Sequence, residues 1–355
     1  MKAARLKKCL GMLTALVLTC SVAAYIPQQE ETLTASAVSA DYAAELVRIS
    51  TYDNSRNLNI SGTADHAACN TWNTNGSQNE NWRFDYVGTN SVGRYFKIVN
   101  MGTGRLLTPA DYNVTAGAAA EIYGSESAVS QHWYVTAVAQ DAYGNDLYYK
   151  ITNYSDSNLS LTYNSSANTV TLETYSGMKN QKWLLNAAGL QGWGGYAADV
   201  SGRIKASTIG GLLGETVEVT TFDELKTACS DATPRTIVIT KDISKTGNYT
   251  KDSNGRYQFA DARIYLYPNK TIIGSYNANS LYNVYFRTYE GNYGQGRNII
   301  LRNIDLSHDK ELNNDNIWEF AYGWNFWIDH IDFEGHDQIE TSSLGSDDWD
   351  KFLNF

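Results

Sequence analysis

The chain has 355 residues, enough for two folded domains of ordinary size. Hydrophobic residues make up 43% of it and charged residues 19%, with 25 tyrosines and 28 glycines. This composition is typical of an aromatic, β-rich globular protein and excludes a disordered chain. The formal net charge of −10 argues against nucleic acid or an anionic membrane surface as the partner.

The first forty residues predict an export signal. Four basic residues precede an apolar run at 10–24, which ends in small residues suited to cleavage. The run is shorter than the roughly 20 residues that span a bilayer, which favours a cleaved signal peptide over a membrane anchor. The cleavage position stays open. We expect residues 1–40 to be a signal peptide and spacer, and the mature protein to be extracellular and free of the membrane.

Three tryptophans, Trp82, Trp133 and Trp183, recur at a nearly constant interval of about 50 residues in the next part of the chain. A glutamate or glutamine stands two positions before each of them, and an alternating apolar strand lies farther upstream in each copy. Glycine, asparagine, aspartate and serine turns separate further short strands. Three copies of a four-strand unit predict one closed all-β domain over residues 41–186.

Beyond this domain the composition changes. Small residues and glycine at 187–195 predict a linker. Val217–Thr220 then predicts a short strand. Thr221 and Glu224 form the pattern of a capping box, which predicts a helix over Asp223–Cys229.

A second internal repeat follows the helix. Asn298–Leu306 and Asn325–Phe333 match position for position about 27 residues apart, and Asn269–Gly274 precedes them by a similar interval. Each copy is a short apolar strand next to an asparagine turn, without the helices that a doubly wound sheet requires. The pattern predicts the coils of a parallel β-helix over residues 196–355.

The tripled tryptophan motif resembles the ricin-type β-trefoil lectin family over residues 41–186. The tryptophans would fill the shared core and the Gln or Glu would bond a turn, so the motif itself is structural. In this family, an acid or amide and an aromatic ring line a shallow sugar pocket in each repeat. The matching candidates are Asp53, Asn70 and Trp72 in the first repeat and Asp156, Tyr175 and Asn180 in the third.

These six residues have an alternative interpretation as ordinary turn and surface residues. The second repeat is the weakest candidate, because Met101–Gly104 at the corresponding loop lacks the acid. The resemblance implies galactose- or xylose-containing plant polysaccharides as partners.

From Gly195 onward the chain resembles pectate lyase family 1, which folds as a right-handed parallel β-helix. Asn269–Gly274 together with the tetrad Trp327–His330 carries the resemblance. The predicted fold class is therefore all-β, an N-terminal β-trefoil followed by an incomplete right-handed parallel β-helix. Within the tetrad we interpret Asp329 and His330 as structural, with His330 a satisfied core residue.

The second resemblance implies cleavage of polygalacturonate by β-elimination, in which a base removes the C5 proton and the C4 oxygen leaves. The proton is barely acidic beside an ionised carboxylate, so Ca²⁺ is the implied cofactor. Ca²⁺ takes oxygen ligands. The matching candidates are Asp315, Asp350 and Asn354. Asn316 is an alternative to Asp315, both acids have surface-loop interpretations, and asparagine at 354 in place of an acid implies weaker binding.

The lysine and arginine that act in this family lie on later coils and match no residue up to Phe355. We therefore assign no catalytic residue and expect the chain as given to be a fragment of a secreted pectate lyase, without turnover of its own. The alternative is a non-catalytic secreted lectin for plant polysaccharide. Under either hypothesis pectin or polygalacturonate is an expected partner, and the protein is expected to be a monomer.

Overall fold

The structure is a computed structural model. It describes residues 41–189, 198–199, 201–245, 250–251, 257–258, 262–288, 296–308, 318–320, 323–334 and 353–354. The predicted signal peptide and spacer, and residues 190–195 of the predicted linker, lie outside the described residues. The predicted domain boundaries therefore stay predictions.

The first part of the chain forms twelve strands joined into one antiparallel sheet. They are β1 (Val47–Ser50), β2 (Asn57–Ile60), β3 (Ala67–Trp72), β4 (Trp82–Thr89), β5 (Arg94–Asn100), β6 (Leu106–Pro109), β7 (Ala120–Tyr123), β8 (His132–Gln140), β9 (Asp146–Asn153), β10 (Leu159–Asn164), β11 (Thr169–Thr174) and β12 (Trp183–Ala187). Short 3-10 helices precede or follow some of these strands, at Gln78–Glu80, Ala110–Tyr112, Val129–Gln131 and Lys179–Gln181.

Six of these strands close a barrel. The pairing runs from β1 to β4, β5, β8, β9 and β12 and returns to β1, so the barrel has no free edge. The other six form three hairpins, β2–β3, β6–β7 and β10–β11. A six-stranded barrel with three hairpins is a β-trefoil, as the sequence predicts.

The repeated tryptophans lie in one buried apolar cluster of this domain, and all three are 0% exposed. Each indole Nε1 donates to a leucine carbonyl of its own repeat, over 2.9–3.0 Å: Trp82 to Leu58, Trp133 to Leu107 and Trp183 to Leu161. A buried indole needs such a partner. The structural role predicted for the motif is confirmed, and the three leucines give a common reference point for comparing the repeats.

The residue two positions before each tryptophan binds the turn that precedes it. An Oε1 atom accepts a backbone N–H in each repeat: Glu80 from Gly76, Gln131 from Glu126 and Gln181 from Ser176. In the second and third repeats Nε2 also donates to a threonine hydroxyl. Glu80 has no N–H to donate. Asn59, at the threonine position, accordingly keeps a buried Oδ1 with no partner among the described residues.

The second part of the chain contains one described α-helix and further short strands. They are β13 (Glu215–Val219), α1 (Phe222–Cys229), β14 (Arg235–Ile239), β15 (Ile243–Ser244), β16 (Thr250–Lys251), β17 (Tyr257–Gln258), β18 (Arg263–Tyr265), β19 (Lys270–Gly274), β20 (Ser280–Tyr282), β21 (Tyr285–Arg287), β22 (Gly296–Ser307), β23 (Trp318–Glu319), β24 (Gly323–Phe333) and β25 (Leu353–Asn354). Thr221 caps α1 in a complete capping box with Glu224, so this prediction is confirmed.

Successive coils stack as two parallel sheets. In the first, β13, β14, β19, β22 and β24 pair in parallel in that order. In the second, β18, β21, β23 and β25 do the same. The predicted repeat is in register, since Ile299 pairs with Phe326 and Arg302 with Asp329. The predicted all-β class, a β-trefoil followed by a parallel β-helix, is confirmed.

Asparagines turn the coils at one corner. Asn269, Asn298 and Asn325 have φ angles of 61°, 55° and 60°, a left-handed conformation that asparagine tolerates well. The amide of Asn298 donates to Oδ1 of Asn269 over 2.8 Å, which links two of the stacked turns. The repeated asparagine turn predicted from the sequence is confirmed.

His330 occupies a second left-handed corner, with the same φ of 52° as Asn303 one coil earlier. Its side chain is 76% exposed, and its Nδ1 lies 2.7 Å from Oδ1 of Asp329. The expectation that His330 is a core residue is wrong. The corner turns its side chain outward, while the neighbouring Ile328 and Ile331 pack against the core.

Residues 204–214, which we call the junction segment, belong to both halves of the molecule. Ile209 and Leu212 are part of the apolar cluster that contains the three tryptophans. The backbone of the same segment bonds the coils: Oδ1 of Asn298 accepts the N–H of Ile209 at 2.8 Å and of Gly210 at 2.9 Å. A Cβ on Gly211 would lie 1.8 Å from the Arg235 carbonyl oxygen of the parallel sheet. The junction segment is therefore packed against the coils and also completes the trefoil core.

A buried ion pair also joins the two halves. Glu45, in front of β1, is 8% exposed, and its Oε1 lies 3.5 Å from Nη1 of Arg302. Arg302 also bonds Asp329 over 3.2 Å and lies over the Trp327 ring at 5.1 Å. Burial raises the pKa of Glu45 from 4.5 to about 7, with Arg302 opposing this shift and Asp329 adding to it.

The raised pKa of Glu45 predicts a pH-dependent stability. Between about pH 4.5 and 7 the folded state holds a proton that the unfolded state releases, so the free energy of unfolding falls as the pH rises through this window. Protonation of Glu45 contributes up to about 3 kcal/mol to the free energy of unfolding at the low-pH end of this window. Glu45→Gln should flatten the slope in urea unfolding measured across the window. Asp85→Asn, at an exposed carboxylate paired with Arg83, is the control, and an unchanged slope in Glu45→Gln would contradict the assignment.

Candidate functional site

The leucine carbonyls that accept the three indoles place the candidate acids at equivalent positions. Asp53, Gly102 and Asp156 each stand five residues before the leucine of their repeat. Two of the three repeats therefore carry an acid at one common position, and the second does not. This agrees with the prediction that the second repeat is the weakest candidate.

Asp53 sits in the turn between β1 and β2. Its Oδ1 accepts hydrogen bonds from the Thr51 hydroxyl at 2.7 Å and from the Ser55 hydroxyl at 2.8 Å. Partial burial would raise the pKa of Asp53, but these bonds outweigh burial and hold it below its ordinary value. Oδ2 has no hydrogen-bond partner among the described residues. The turn thus presents an ionised carboxylate with one oxygen available to a sugar hydroxyl.

Trp72 and Asn70 differ in their access to solvent. Trp72, the last residue of β3, pairs with Asn57 at the start of β2, and its side chain is 52% exposed. A half-exposed indole offers a flat apolar face of the kind that stacks on a sugar ring. Asn70 lies two residues earlier, and its Oδ1 is buried without a partner among the described residues. Asp53 and Trp72 are therefore better placed than Asn70 to meet a ligand.

In the third repeat the structure connects Asp156 with Tyr175. Oδ1 of Asp156 accepts the backbone N–H of Asn158 at 2.9 Å, and the carbonyl of Asn158 accepts the N–H of Tyr175 at 2.8 Å. Nζ of Lys150 lies 5.0 Å from the centre of the Tyr175 ring. The lysine thus contacts one face of this aromatic residue.

Asn180 is held within the third repeat. Its amide donates to the Tyr163 carbonyl over 3.2 Å, and its Oδ1 is buried and has no partner in the described part of the chain. This side chain therefore supports the barrel more directly than it faces a ligand.

Strand pairing shows an equivalence that sequence spacing missed. Trp72 pairs with Asn57, and in the other repeats Tyr123 pairs with Leu106 and Glu173 with Ser160 at the same position. Tyr175 is thus two residues away from the true counterpart of Trp72. Tyr123, whose ring centre lies 4.7 Å from that of His66, is the aromatic counterpart in the second repeat. Only the strand register could have found it, because the repeats differ slightly in length.

Of the three candidate Ca²⁺ ligands, the structure describes only Asn354. Asp315 and Asp350 lie outside the described residues. Asn354 is described only as the last residue of β25, in register with Glu319 of β23. Glu319, which sequence reasoning missed, is 2.6 Å from Nη1 of Arg287 on the neighbouring strand β21. Within the described ranges, no three His, Cys, Asp or Glu side chains gather into a metal-binding group.

The donor set proposed for Ca²⁺ nevertheless suits that ion. Two carboxylates and one amide supply only oxygen atoms, which Ca²⁺ prefers, and no sulfur or imidazole ligand competes within the set. The row of β21, β23 and β25 brings Arg287, Glu319 and Asn354 to one register position across the sheet. Among the candidate ligands, Asn354 thus lies in this row of the second sheet.

The strand pairings define an all-β protein in which a β-trefoil is joined to a parallel β-helix. The chain belongs to the pectate lyase family, whose family model matches residues 153–354. Residues 78–175 match the family model described as ricin-type beta-trefoil lectin domain-like. Both resemblances predicted from the sequence are confirmed.

Curated relatives of the chain are bacterial pectin lyases. The chain is 32% identical over 167 residues to one from Bacillus subtilis, covering 46% of this chain and 42% of the relative. It is 34% identical over 147 residues to one from Pseudomonas marginalis, covering 41% of each. The chain thus spans about two fifths of the length of these relatives.

Similar solved structures include a designed threefold-symmetric protein, with a TM-score of 0.34, 23% identity and coverage of 39% of this chain and 96% of that one. An exo-β-1,3-galactanase from Clostridium thermocellum matches with a TM-score of 0.37 and 24% identity, covering 42% of this chain and 31% of that one. Among the residues that the structure describes, no helix has the length and apolarity needed to cross a membrane.

Proposed function

We propose that this chain belongs to a secreted pectate lyase that cleaves polygalacturonate by Ca²⁺-dependent β-elimination and holds plant polysaccharide with its β-trefoil. The match of the pectate lyase family to residues 153–354 is the observation that carries the proposal. The stacked parallel coils over the same range supply the matching geometry. Secretion is supported by the basic and apolar N-terminal pattern.

The strand register supports a shared role for Asp315 and Asp350. Each stands three residues before a strand residue of the second sheet, and those residues, Trp318 and Leu353, pair with one another in parallel. Equal sequence offsets from paired strand residues support the assignment of both acids to one ligand set. Asn354 would add an amide oxygen from the same coil.

Bound Ca²⁺ would neutralise the uronate carboxylate and so acidify the C5 proton. Asp315, Asp350 and Asn354 would hold the ion and, through it, position the substrate. The ion would also reduce the repulsion between a chain of net charge −10 and an anionic polymer.

The test of the lyase half is Ca²⁺-dependent binding of the full chain to polygalacturonate. We expect Asp315→Asn and Asp350→Asn each to weaken it roughly tenfold, because each removes a charge from the ligand set. Asp85→Asn, on the trefoil surface, should bind as the wild type does. Binding that does not depend on Ca²⁺, or that is unchanged in both variants, would contradict the proposal. Any cleavage should give unsaturated uronide, visible by ultraviolet absorbance, and saturated products would contradict elimination.

The trefoil half is tested with galactan and xylan arrays, again with the full chain. Trp72→Ala and Asp53→Ala should each reduce retention about tenfold, since one removes the exposed ring and the other the free carboxylate oxygen. Met178→Ala, at another strongly exposed apolar side chain, is the matched control. Retention on galactan without any response to Ca²⁺ would instead favour the non-catalytic lectin.

A further inference from the structure

A cleft of about 350 Å³ lies where the trefoil barrel meets the first coils. This volume falls in the range of small-molecule sites, and both domain interfaces and barrel mouths are places where such sites occur. The turn between β4 and β5 and the strands β8 and β9 form one wall. The junction segment and the turn residues Asn269 and Asn298 form the other.

Much of the wall is apolar. Val135 and Ala137 from β8 and Tyr149 from β9 face the cleft from the barrel side, and Ile209 and Leu213 face it from the junction segment. An apolar wall of this kind can cover the C–H face of a sugar ring. Both halves of the molecule contribute to it, so a bound ligand would contact the trefoil and the coils together.

Two arginines have unused donors, one at the cleft and one at an adjoining cavity. Nε of Arg94 donates to the Leu213 carbonyl at 2.8 Å, but its two Nη atoms have no partner among the described residues. Arg297 lines a smaller cavity that adjoins the cleft and shares Tyr149, Ile209 and Asn298 with it. The Arg297 guanidinium likewise has no hydrogen bond or ion pair within the described part of the chain.

Unpaired guanidinium groups are notable in a chain with a net charge of −10. A guanidinium group binds a carboxylate with two parallel hydrogen bonds, which gives both strength and orientation. The same cleft carries the exposed carboxylate of Asp146 and the hydroxyl of Thr136, which can bond ring hydroxyls. Cationic donors, hydroxyl partners and an apolar wall together suit a sugar acid better than a neutral sugar or a small inorganic anion.

We propose that this cleft and the adjoining cavity form a second saccharide site that binds a hexuronate disaccharide, with Arg94 and Arg297 each on one of its two carboxylate groups. The site is distinct from the candidate pockets at Asp53 and Asp156 and from the candidate Ca²⁺ ligands. The anionic class of the ligand follows from the two arginines, and the choice of a uronate rests on the proposed function. Because the cleft joins both halves, bound uronate stabilises the junction between them.

The test is calorimetric titration of the full chain with digalacturonate, in the presence of a chelator so that no Ca²⁺ site contributes. Arg297→Gln is expected to weaken binding roughly tenfold, the loss of one charged hydrogen-bonded contact. Its guanidinium makes no hydrogen bond or ion pair with another described residue, so folding should be little affected. Arg94→Gln should weaken binding similarly. Arg83→Gln makes the same charge change at an ion pair elsewhere on β4 and should stay within about twofold of wild type.

Digalacturonate should also raise the unfolding temperature of the wild type more than that of Arg297→Gln at the same ligand concentration. The proposal is overturned if digalacturonate does not bind, or if both cleft variants bind it as tightly as the wild type. Equal binding of galactobiose would overturn the role of the carboxylate, and equal binding of sulfate would overturn saccharide recognition. Arg297→Gln should keep its Ca²⁺-dependent binding of polygalacturonate, so failure of the cleft and failure of the lyase proposal give different results.

Discussion

Trp133→Ala is expected to lower the free energy of unfolding by about 3–5 kcal/mol. The indole is 0% exposed, and its Nε1 is the donor to the Leu107 carbonyl, 2.9 Å away. Removing it opens a cavity in the cluster shared by the three repeats and leaves that carbonyl unpaired. The free energy of unfolding of an ordinary domain is about 5–15 kcal/mol, so the substitution would remove a large part of the stability. Urea unfolding followed by far-ultraviolet circular dichroism measures the change.

Two further variants separate the contribution of the indole's buried volume from that of its N–H hydrogen bond. Trp133→Phe keeps most of the volume but lacks the N–H, so it should cost less, about 1–3 kcal/mol. Trp72→Ala removes an indole that is 52% exposed and should change stability by no more than about 0.5 kcal/mol. If Trp133→Ala and Trp72→Ala unfold at the same urea concentration, the account of the threefold core is wrong.

Gly211→Ala is expected to destabilise the chain by about 3 kcal/mol, at the upper end of overpacking effects. A Cβ at this position would lie 1.8 Å from the Arg235 carbonyl oxygen and 2.6 Å from the Thr236 nitrogen. These are backbone atoms of β14, which is paired on both sides by β13 and β19, so they cannot move aside. The junction segment must therefore lift from the coils, and Ile209 and Leu212 must leave the trefoil cluster.

Thermal unfolding and limited proteolysis of the junction segment measure this effect. Gly62→Ala is the matched control, because its Cβ would meet only the Ala67 side chain, at an ordinary 3.5 Å. We expect Gly211→Ala to melt lower and to be cut faster than Gly62→Ala. Equal behaviour of the two variants would mean that the junction segment does not depend on this close contact.

Much of the architecture was accessible from the sequence, because both repeats report a physical constraint on the chain. A barrel built from three repeats needs one large core side chain from each repeat. This requirement sets the interval of Trp82, Trp133 and Trp183. Parallel coils in register need the same residue at the same corner, which fixed the interval of Asn298 and Asn325. Predictions of this kind depend on local pattern alone.

The parts that sequence reasoning missed depend on contacts between distant segments. Gly210, Gly211 and Gly214 look like an ordinary loop, and only the close approach to β14 shows why a side chain is excluded. His330 was assigned to the core because apolar residues flank it, whereas its left-handed backbone turns it outward. Among the candidate site residues, the aromatic position of the sugar pockets required the strand register, and the cleft required both halves of the fold.

The insertion of Ile209 and Leu212 into the trefoil core also bears on how such proteins can be rearranged. Here the lectin-like domain receives part of its interior from the chain that follows it. In a chimaera that replaces residues 41–186 with another trefoil, Ile209 and Leu212 would need a matching gap in the new core. Exchange of the domain therefore requires redesign of the junction segment as well.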